Sequence, residues 1–328
     1  MQKPSLVGVV EAAYQLEGTE QEWLSGIVEA ARPHLDRGRG VVGYFWEARQ
    51  SGPLQVSEPV LLGTPRVYEQ KFAAFTAAAD DRVLDGTYRA EVVCGTVSEL
   101  VGADLVRQHP AWAMLRPSGI CDFLGIRVAD PNGQSAFLGA PLHRLGRLRP
   151  AERTCWERIA SHLSAGLRLR RALLAGASEQ RGAVEAILSA KGAVVHAEGL
   201  ARSRDARSVL HDAIIAMERA RGRLRTTNPR LAVAIWRGLV SGRWSLVDSF
   251  ESDGRRYIVA RKNDPHVTDP RRLTLRERQI VAYARLGHAN KLIAYELGLS
   301  TSSVATHLAR ALRKLGLRSR SELFRRFG

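Results

Sequence analysis

One predicted helix near the carboxyl end combines small polar residues with two arginines on a single face. The members of this face are Ser302, Ser303, Ala305, Thr306, Ala309, Arg310 and Arg313. Exposed helices usually carry Glu, Lys or Gln for their helix propensity, so this many short and β-branched side chains need another reason. Short side chains let a backbone come close to a surface, hydroxyls can bond base edges or phosphates, and methyl groups can touch thymine. The chemistry of this face is therefore hydrogen bonding and apolar contact inside a nucleic-acid groove.

A second helix and a tight turn have to position this face. Apolar residues spaced by three and four predict the face-bearing helix over 301–315; they are Val304, Leu308, Ala311, Leu312 and Leu315. A shorter helix over 289–297 precedes it, Gly298 permits a left-handed backbone between the two, and Ser300 is a suitable N-cap. Two helices joined by a short turn with glycine make a helix-turn-helix, whose second helix enters a major groove about 12 Å wide.

Two more helices complete this part of the chain. Thr274, followed three residues later by Glu277, predicts a capping box and a helix over 274–285, and a short helix is expected over 319–327. The segment is also strongly basic: residues 271–328 carry 13 basic and 3 acidic side chains, in a chain whose net charge is +16. Such a concentration of positive charge favours a terminal module that meets a polyanion. We therefore predict an all-α domain of four helices at 271–328.

Three segments of this region together resemble the LuxR/NarL-type DNA-binding domain over residues 273–323. They read LTLRERQIV, GHANKLIAYELGLS and SSVATHLARALRKLGLRSRSEL. The positions that match the family's motifs are Leu273, Thr274, Arg276, Glu277, Gly287, Asn290, Lys291, Ile293, Ala294, Ser303, Val304, His307, Lys314, Leu315, Gly316, Ser319 and Arg320. Two positions depart, since Ala305 stands where the family usually has Lys and Leu292 where it often has Glu. The first removes a groove contact, and the second indicates an extra apolar contact with another part of the protein.

The resemblance implies that the partner is double-stranded DNA, bound through its major groove. Asn290 and Lys291 are expected to hold phosphates, and Arg310 and Arg313 to contact the DNA backbone. The residues expected to face bases are Ser302, Ser303, Ala305, Thr306 and Ala309. His307 joins the DNA-binding set through the family motif.

Two helices are predicted to expose apolar stripes that a second copy of the chain could cover. They are the short helix 319–327 and a long helix over 150–174. A helix-turn-helix dimer pairs two half-sites about one helical turn of DNA apart. We therefore expect a homodimer, although Gly166 and Arg170 on or beside the stripe of the long helix argue against a stable coiled coil. RNA polymerase is considered as a further partner.

The order of elements upstream resembles two kinds of sensor region. Residues 1–175 present a helix, strands, helices, a hairpin around PNG and the long helix, an order similar to a GAF-type domain. Residues 176–263 present an opening strand, helices at 203–223 and 229–240, and a hairpin around ESDG, which resembles a small PAS-like domain. A linker at 264–270 contains two Asp-Pro pairs, which stop helix formation. The predicted fold is multidomain α+β, with GAF-like and PAS-like α/β sensor regions followed by the helix-turn-helix. Whether the sensor regions bind a small-molecule ligand is left open.

Several other chemistries find no support in the sequence. It has no apolar run of membrane length and no leader pattern, so a cytoplasmic protein without a membrane partner is expected. Cys94, Cys121 and Cys155 are scattered, which favours buried thiols over disulfides or a zinc site. There is no P-loop, receiver-type acidic cluster, HExxH or G-x-S-x-G pattern. We expect no enzymatic activity, no bound metal and no cofactor.

Two alternative interpretations use the same carboxyl-terminal helices. A sigma-like factor would use a related helix-turn-helix but needs a helical polymerase-binding region upstream, and the hairpins predicted within 120–262 argue against one. A sensor enzyme with a DNA-binding tail would need catalytic motifs that the sequence lacks. The preferred interpretation is a sequence-specific DNA-binding transcription regulator whose upstream regions respond to an unknown signal.

Overall fold

The computed structural model describes residues 4–47, 55–88, 92–131, 135–174, 183–252, 255–263, 265 and 273–327. Two regions built on sheets precede a helical carboxyl-terminal region. We name them the first sheet region (4–174), the second sheet region (183–263) and the helical region (273–327). The predicted linker at 264–270, apart from Pro265, lies outside the described residues, as do the tips of the two predicted hairpin turns.

The first sheet region alternates helices with short strands. Its helices are α1 (Leu6–Ala13), α2 (Glu20–Leu35), α3 (Arg66–Ala77), α4 (Asp81–Thr87), α5 (Val97–Val101), α6 (Ala103–Gln108), α7 (Pro110–Leu115) and α8 (Pro150–Leu174). Its strands are β1 (Val41–Glu47), β2 (Gln55–Val56), β3 (Val60–Leu62), β4 (Cys94–Thr96), β5 (Asp122–Ala129) and β6 (Ser135–Leu142). The strands form an antiparallel sheet in the order β2-β1-β6-β5-β4, and β3 also pairs with β1.

Both faces of this sheet are covered by helices. Successive side chains of a strand point to opposite faces. Val41 of β1 accordingly belongs to a core shared with α1, α2 and α8. Its neighbours Val42 and Tyr44 belong to a separate core, rich in aromatic rings, under α3, α4 and α7. One strand thus supplies two different environments.

The second sheet region repeats the same strand order on a smaller scale. Its strands are β7 (Val184–Ser189), β8 (Val194–Ala197), β9 (Leu239–Val240), β10 (Trp244–Ser252) and β11 (Arg255–Lys262). Its helices are α9 (Arg204–Arg221), α10 (Leu224–Thr227) and α11 (Pro229–Ile235). The sheet runs β8-β7-β11-β10-β9, and each pairing is antiparallel. In both sheets the first strand along the chain lies between the second and the last.

The helix predicted over 229–240 is wrong at its carboxyl end. Helix α11 stops at Ile235, and Leu239 and Val240 form a strand that pairs with Ser245 and Trp244. Local propensity could not reveal this strand, because its partner lies beyond the next turn and only the pairing makes it extended.

The helical region contains the four helices that its sequence predicts. They are α12 (Leu275–Arg285), α13 (Asn290–Leu297), α14 (Thr301–Leu315) and α15 (Arg320–Phe327). Thr274 and Glu277 form the expected capping box at the start of α12. Gly298 and Gly316 end α13 and α14 in left-handed conformations, with φ of 64° and 68°. These local signals fix where each helix begins and ends.

The middle of helix α8 is buried, and Leu173 and Leu174 at its carboxyl end are its only large apolar residues that are exposed, which contradicts the expectation that 150–174 exposes an apolar stripe. Every residue from Ile159 to Arg170 is buried, because α1, α11, α13 and the first sheet pack around it. Gly166 lies against the carbonyl oxygen of Ala13 at the end of α1, and a Cβ there would sit 2.1 Å from that oxygen. The glycine that weakens a coiled-coil seam is required for this close contact within one chain.

Candidate nucleic-acid interface

Helix α14 has two contrasting faces. Val304, Leu308, Ala311 and Leu315 lie in the core of the helical region, and none is more than 8% exposed. The exposed residues of the opposite side are Ser302, Ala305, Thr306, Ala309, Arg310 and Arg313. The structure thus places most of the predicted DNA-binding set of this helix on one open face.

The hydroxyl groups of this face are tied to the start of α14. Ser300 caps the helix by accepting a hydrogen bond from the Ser303 N–H at 3.0 Å, and its Oγ lies 2.9 Å from that of Ser302 and 2.8 Å from that of Ser303. Thr306 donates to the Ser302 carbonyl at 3.0 Å. The Thr306 oxygen therefore keeps its lone pairs as acceptors for a base amino group. Ser303 and His307 are half-buried at the border of the face.

The start of α13 carries the two residues predicted to hold phosphates. Lys291 is exposed, and Asn290 is half-buried. Arg320 donates to Asn290 Oδ1 at 3.2 Å and also to the His288 carbonyl. The acceptor end of the Asn290 amide thus faces Arg320, so its donor end is the part that can face an anion.

An ion pair fixes α14 to α12, in which the Glu277 carboxylate is buried and the Lys314 side chain is 43% exposed. Lys314 Nζ lies 2.7 Å from Glu277 Oε2 and 2.9 Å from Oε1, and Oε2 also accepts from the Thr274 N–H at 2.8 Å. Burial by itself raises the pKa of Glu277, but these hydrogen bonds outweigh it and hold the pKa below its ordinary value. The carboxylate therefore stays charged and keeps the recognition helix in register with its support.

Comparison with known proteins identifies this part of the chain. The family described as bacterial regulatory proteins, luxR family, matches residues 271–327. Residues 271–327 form a LuxR-family helix-turn-helix domain. The chain is also 46% identical over 57 residues to the monoamine regulon transcriptional regulator of Klebsiella aerogenes. That match covers 17% of this chain and spans 25% of the relative's length. Among the described residues, no helix is long and apolar enough to cross a membrane.

The LuxR-family domain is attached to the sheet regions mainly through α13. Leu292, the residue that stands where the family often has Glu, is 6% exposed and lies in the core shared by both sheet regions. The extra apolar contact predicted from this departure is confirmed. A charged residue at this position would have to be buried in an apolar core, which is strongly unfavourable.

A chain of aromatic and imidazole groups continues this attachment. The Tyr295 hydroxyl of α13 lies 2.7 Å from His162 Nε2 of α8, and the Tyr14 hydroxyl lies 2.9 Å from His162 Nδ1. Tyr295 also lies 3.2 Å from the carbonyls of Val233 and Trp236 in the second sheet region. Burial lowers the pKa of His162 to about 3, so its imidazole is neutral at pH 7. One tyrosine thereby joins all three regions.

Further polar contacts surround this centre. Ser161 of α8 donates to Glu296 of α13 at 2.8 Å. The turn between β9 and β10 accepts from α12, with Arg276 donating to the Ser241 carbonyl at 2.7 Å and Gln279 to that of Gly242 at 3.1 Å.

Arg127 links the first sheet region to the end of α12. Arg127 on β5 donates to the Tyr88 carbonyl at 2.8 Å and to the Leu286 carbonyl at 2.6 Å. Both hydrogen bonds come from the same guanidinium group. This group therefore holds the backbone at Tyr88 close to the backbone at Leu286.

Sequence reasoning missed nearly all of this attachment. His162 and Arg127 occur in segments without a motif, and Tyr295 stands at none of the matched positions of its LuxR-like segment. The groups that these residues meet are distant in the chain. Only Leu292 gave a signal in the sequence, because the family often has Glu at this position and this chain has an apolar residue there. A polar side chain at a position outside the family's motif carries no such expectation.

Proposed function

We propose that this chain is a sequence-specific DNA-binding transcription regulator. The observation that carries the proposal is the open face of α14 in the LuxR-family domain, where small side chains precede Arg310 and Arg313. In a groove about 12 Å wide, such a face brings the helix backbone close to the base edges. Ser302, Ala305 and Thr306 face bases, and the two arginines contact the DNA backbone.

Phosphate contacts supply the sequence-independent part of the affinity. Lys291 and Asn290 hold a phosphate at the start of α13, and the +10 excess that follows from 13 basic and 3 acidic residues at 271–328 attracts the polyanion. RNA polymerase at the promoter is a further partner in this proposal.

The sheet regions are sensor regions in this proposal, the first GAF-like and the second PAS-like. Their support is the shared strand order, with helices packed on the sheet, and their contact with α13. The protein acts in the cytoplasm as a homodimer. The stripe of α8 is buried. In α15, Leu323 also packs in the core of its own region and Phe324 is half-buried, so the exposed stripe predicted there is not found among the described side chains. Sedimentation of the free and DNA-bound protein tests the dimer.

Binding-site selection with the full chain, without polymerase, tests the function. We expect one enriched motif, and an affinity whose logarithm falls by about 0.9 per neutralised phosphate as the logarithm of salt concentration rises. Arg313→Ala lowers affinity for all sequences. Arg207→Ala, which removes an exposed arginine of the second sheet region, is the matched control and leaves affinity unchanged. Enrichment that needs polymerase would instead identify a sigma-like factor, and no enrichment under either condition would refute DNA reading.

A further inference from the structure

A cleft lies where the second sheet region meets the LuxR-family domain. Its volume is about 260 Å³. A water molecule takes about 30 Å³ in the liquid, so the cleft has room for a small molecule and not only for a single ion. Its lining includes Ala234, Arg237 and Leu239 from the second sheet region and Lys291, Tyr295 and Leu299 from the LuxR-family domain.

Two cationic side chains line the cleft, one from each region. Arg237 and Lys291 are both exposed, and neither makes a hydrogen bond or an ion pair with another described residue. No Asp or Glu is among the described residues that line the cleft. Two positive charges that share a cleft without a carboxylate attract an anion into it.

Further positive charge lies beside the Tyr295 ring. Arg158 of α8 lies over this ring, with its guanidinium carbon 5.3 Å from the ring centroid. Burial raises the pKa of Tyr295, and the charges of Arg158 and Arg237 partly offset this rise. Burial also raises the pKa of the Glu157 carboxyl of α8, which lies near Lys291 but forms no described ion pair with it. The surroundings of the cleft therefore keep an excess of positive charge.

The lining indicates the chemical class of the occupant. A phosphate monoester carries about −1.5 to −2 charges at pH 7 and three acceptor oxygens, which matches two cations. Arginine can bind phosphate through two parallel hydrogen bonds, and lysine acts as a point charge. Ala234, Leu239 and Leu299 provide apolar walls for an organic group. We propose that this cleft binds a small phosphate monoester that carries an apolar organic group.

An occupant would join the second sheet region to the LuxR-family domain. Arg237 follows α11, Lys291 lies in the first turn of α13, and the Tyr295 hydroxyl one turn later lies 3.2 Å from the carbonyls of Val233 and Trp236. A phosphate held by both cations keeps Lys291 from a DNA phosphate. If the proposed function holds, the ligand therefore weakens DNA binding. Binding in the cleft itself goes beyond that function and does not depend on DNA.

Isothermal titration calorimetry of the full chain with four probes tests the ligand class. The titrations are done at low salt, because salt screens exposed charges. The probes are phenyl phosphate, inorganic phosphate, benzoate and phenol. Phenyl phosphate is expected to bind tightest; benzoate is weaker because it has one charge, inorganic phosphate because it has no apolar group, and phenol because it has no charge. No binding heat from phenyl phosphate, or phenol that binds as tightly, would overturn the proposal.

Variants that remove one charge locate the site. Arg237→Gln and Lys291→Gln are each expected to weaken phenyl phosphate about tenfold, because each removes a charged contact to the phosphate. Arg207→Gln is the matched control, since it removes an exposed arginine of the same region that does not line the cleft. Equal affinity of Arg237→Gln and the wild type for phenyl phosphate would show that the proposed site is wrong.

A variant that fills the cleft separates it from the charged surface around it. Ala234→Leu keeps both cations but places a larger side chain in the lining. We expect it to weaken phenyl phosphate about tenfold and to leave inorganic phosphate nearly unchanged. If both probes keep their wild-type affinities, phenyl phosphate does not occupy the cleft.

Duplex DNA distinguishes a free phosphate ester from a phosphate of the DNA backbone. We expect phenyl phosphate to weaken DNA binding by the wild type but not by Arg237→Gln, and Arg237→Gln to bind DNA as tightly as the wild type. If phenyl phosphate gives no heat and Arg237→Gln weakens DNA binding as much as Lys291→Gln, the cleft is part of the DNA interface and the proposal is wrong. Binding of phenyl phosphate by a chain that binds no DNA would support the cleft and refute the proposed function.

Discussion

The two helices of the helix-turn-helix, α13 and α14, differ in what covers them. In α14 the side that faces away from its own domain is open, with Ala305, Thr306 and Ala309 exposed. In α13 the corresponding side is covered by the sheet regions, where Leu292 and Tyr295 make contact with two of their helices and a loop. The helix that meets DNA is left free, and the helix that supports it is fixed to the rest of the chain.

This difference bears on how the sheet regions would control DNA binding under the proposed function. Among the described residues, Ser302, Ala305 and Thr306 of α14 stay exposed. We propose that the sheet regions act through the position of α13 and of Asn290 and Lys291 at its start, so that a signal changes the orientation of the domain.

The largest effect is expected from Leu292→Glu, which introduces a residue that the family often has at this position and detaches α13. A carboxylate in the shared core costs about 3 kcal/mol or more, and moving the domain away avoids this cost. We expect calorimetric unfolding to split into two transitions, one for the LuxR-family domain and one for the sheet regions. Ala305→Lys, a change of charge on the open face, is the control and should leave a single transition. A single transition in Leu292→Glu would show that the attachment does not depend on this contact.

The next effect separates the two faces of α14. Val304→Ala removes methyl groups from a fully buried site and should lower the free energy of unfolding by about 2 kcal/mol. Thr306→Ala should leave stability nearly unchanged but relax base preference at one position of each half-site, at ~1–3 kcal/mol. Thermal unfolding and binding-site selection on both variants measure the contrast. The assignment of faces fails if Thr306→Ala returns the wild-type motif.

The stability of the folded chain is expected to depend on pH through His162, which contacts the covered side of α13. The folded pKa of His162 is about 3, whereas the unfolded value is about 6.5. Between these values the unfolded chain binds the proton and the folded chain does not, so stability is complete above pH 6.5 and falls as pH decreases. The loss from this residue is about 2 kcal/mol by pH 5. Unfolding followed at several pH values checks it: His162→Gln should flatten the decline, and His196→Gln, an exposed histidine, should not.

The smallest effect is expected from Lys291→Ala. Removing one exposed phosphate contact should weaken binding uniformly across sequences and reduce the salt slope by about 0.9. Titrations of one selected site and one unrelated sequence at several salt concentrations measure both quantities. A loss confined to the selected sequence would mean that Lys291 reads bases.

Features that depend on residues close in the chain could be predicted from the sequence, and features that depend on distant residues could not. Thr274, Gly298 and Ser300 set helix ends through neighbours three or four residues away, so their roles could be predicted. The strand at Leu239–Val240 depends on pairing with β10, and its local pattern continued a helix. Sequence motifs predict local geometry, whereas contacts between distant residues can be identified only from the folded structure.

The burial of α8 was missed for the same reason. Its apolar stripe was visible in the sequence, but which surface covers a stripe is decided by the packing of α1, α11 and α13 around it. A stripe predicts that something covers it and does not say what.

Gly166 determines how closely α1 approaches α8, at the start of a series of contacts that ends at the LuxR-family domain. It allows the carbonyl of Ala13 to touch α8, and the next residue, Tyr14, meets His162 one helical turn away. A single methyl group at position 166 would raise the end of α1 from α8 and draw the Tyr14 hydroxyl away from the imidazole. The contact of His162 with Tyr295 would then lose its orienting partner. The distance between α1 and α8 therefore affects the position of α13, more than a hundred residues later in the chain.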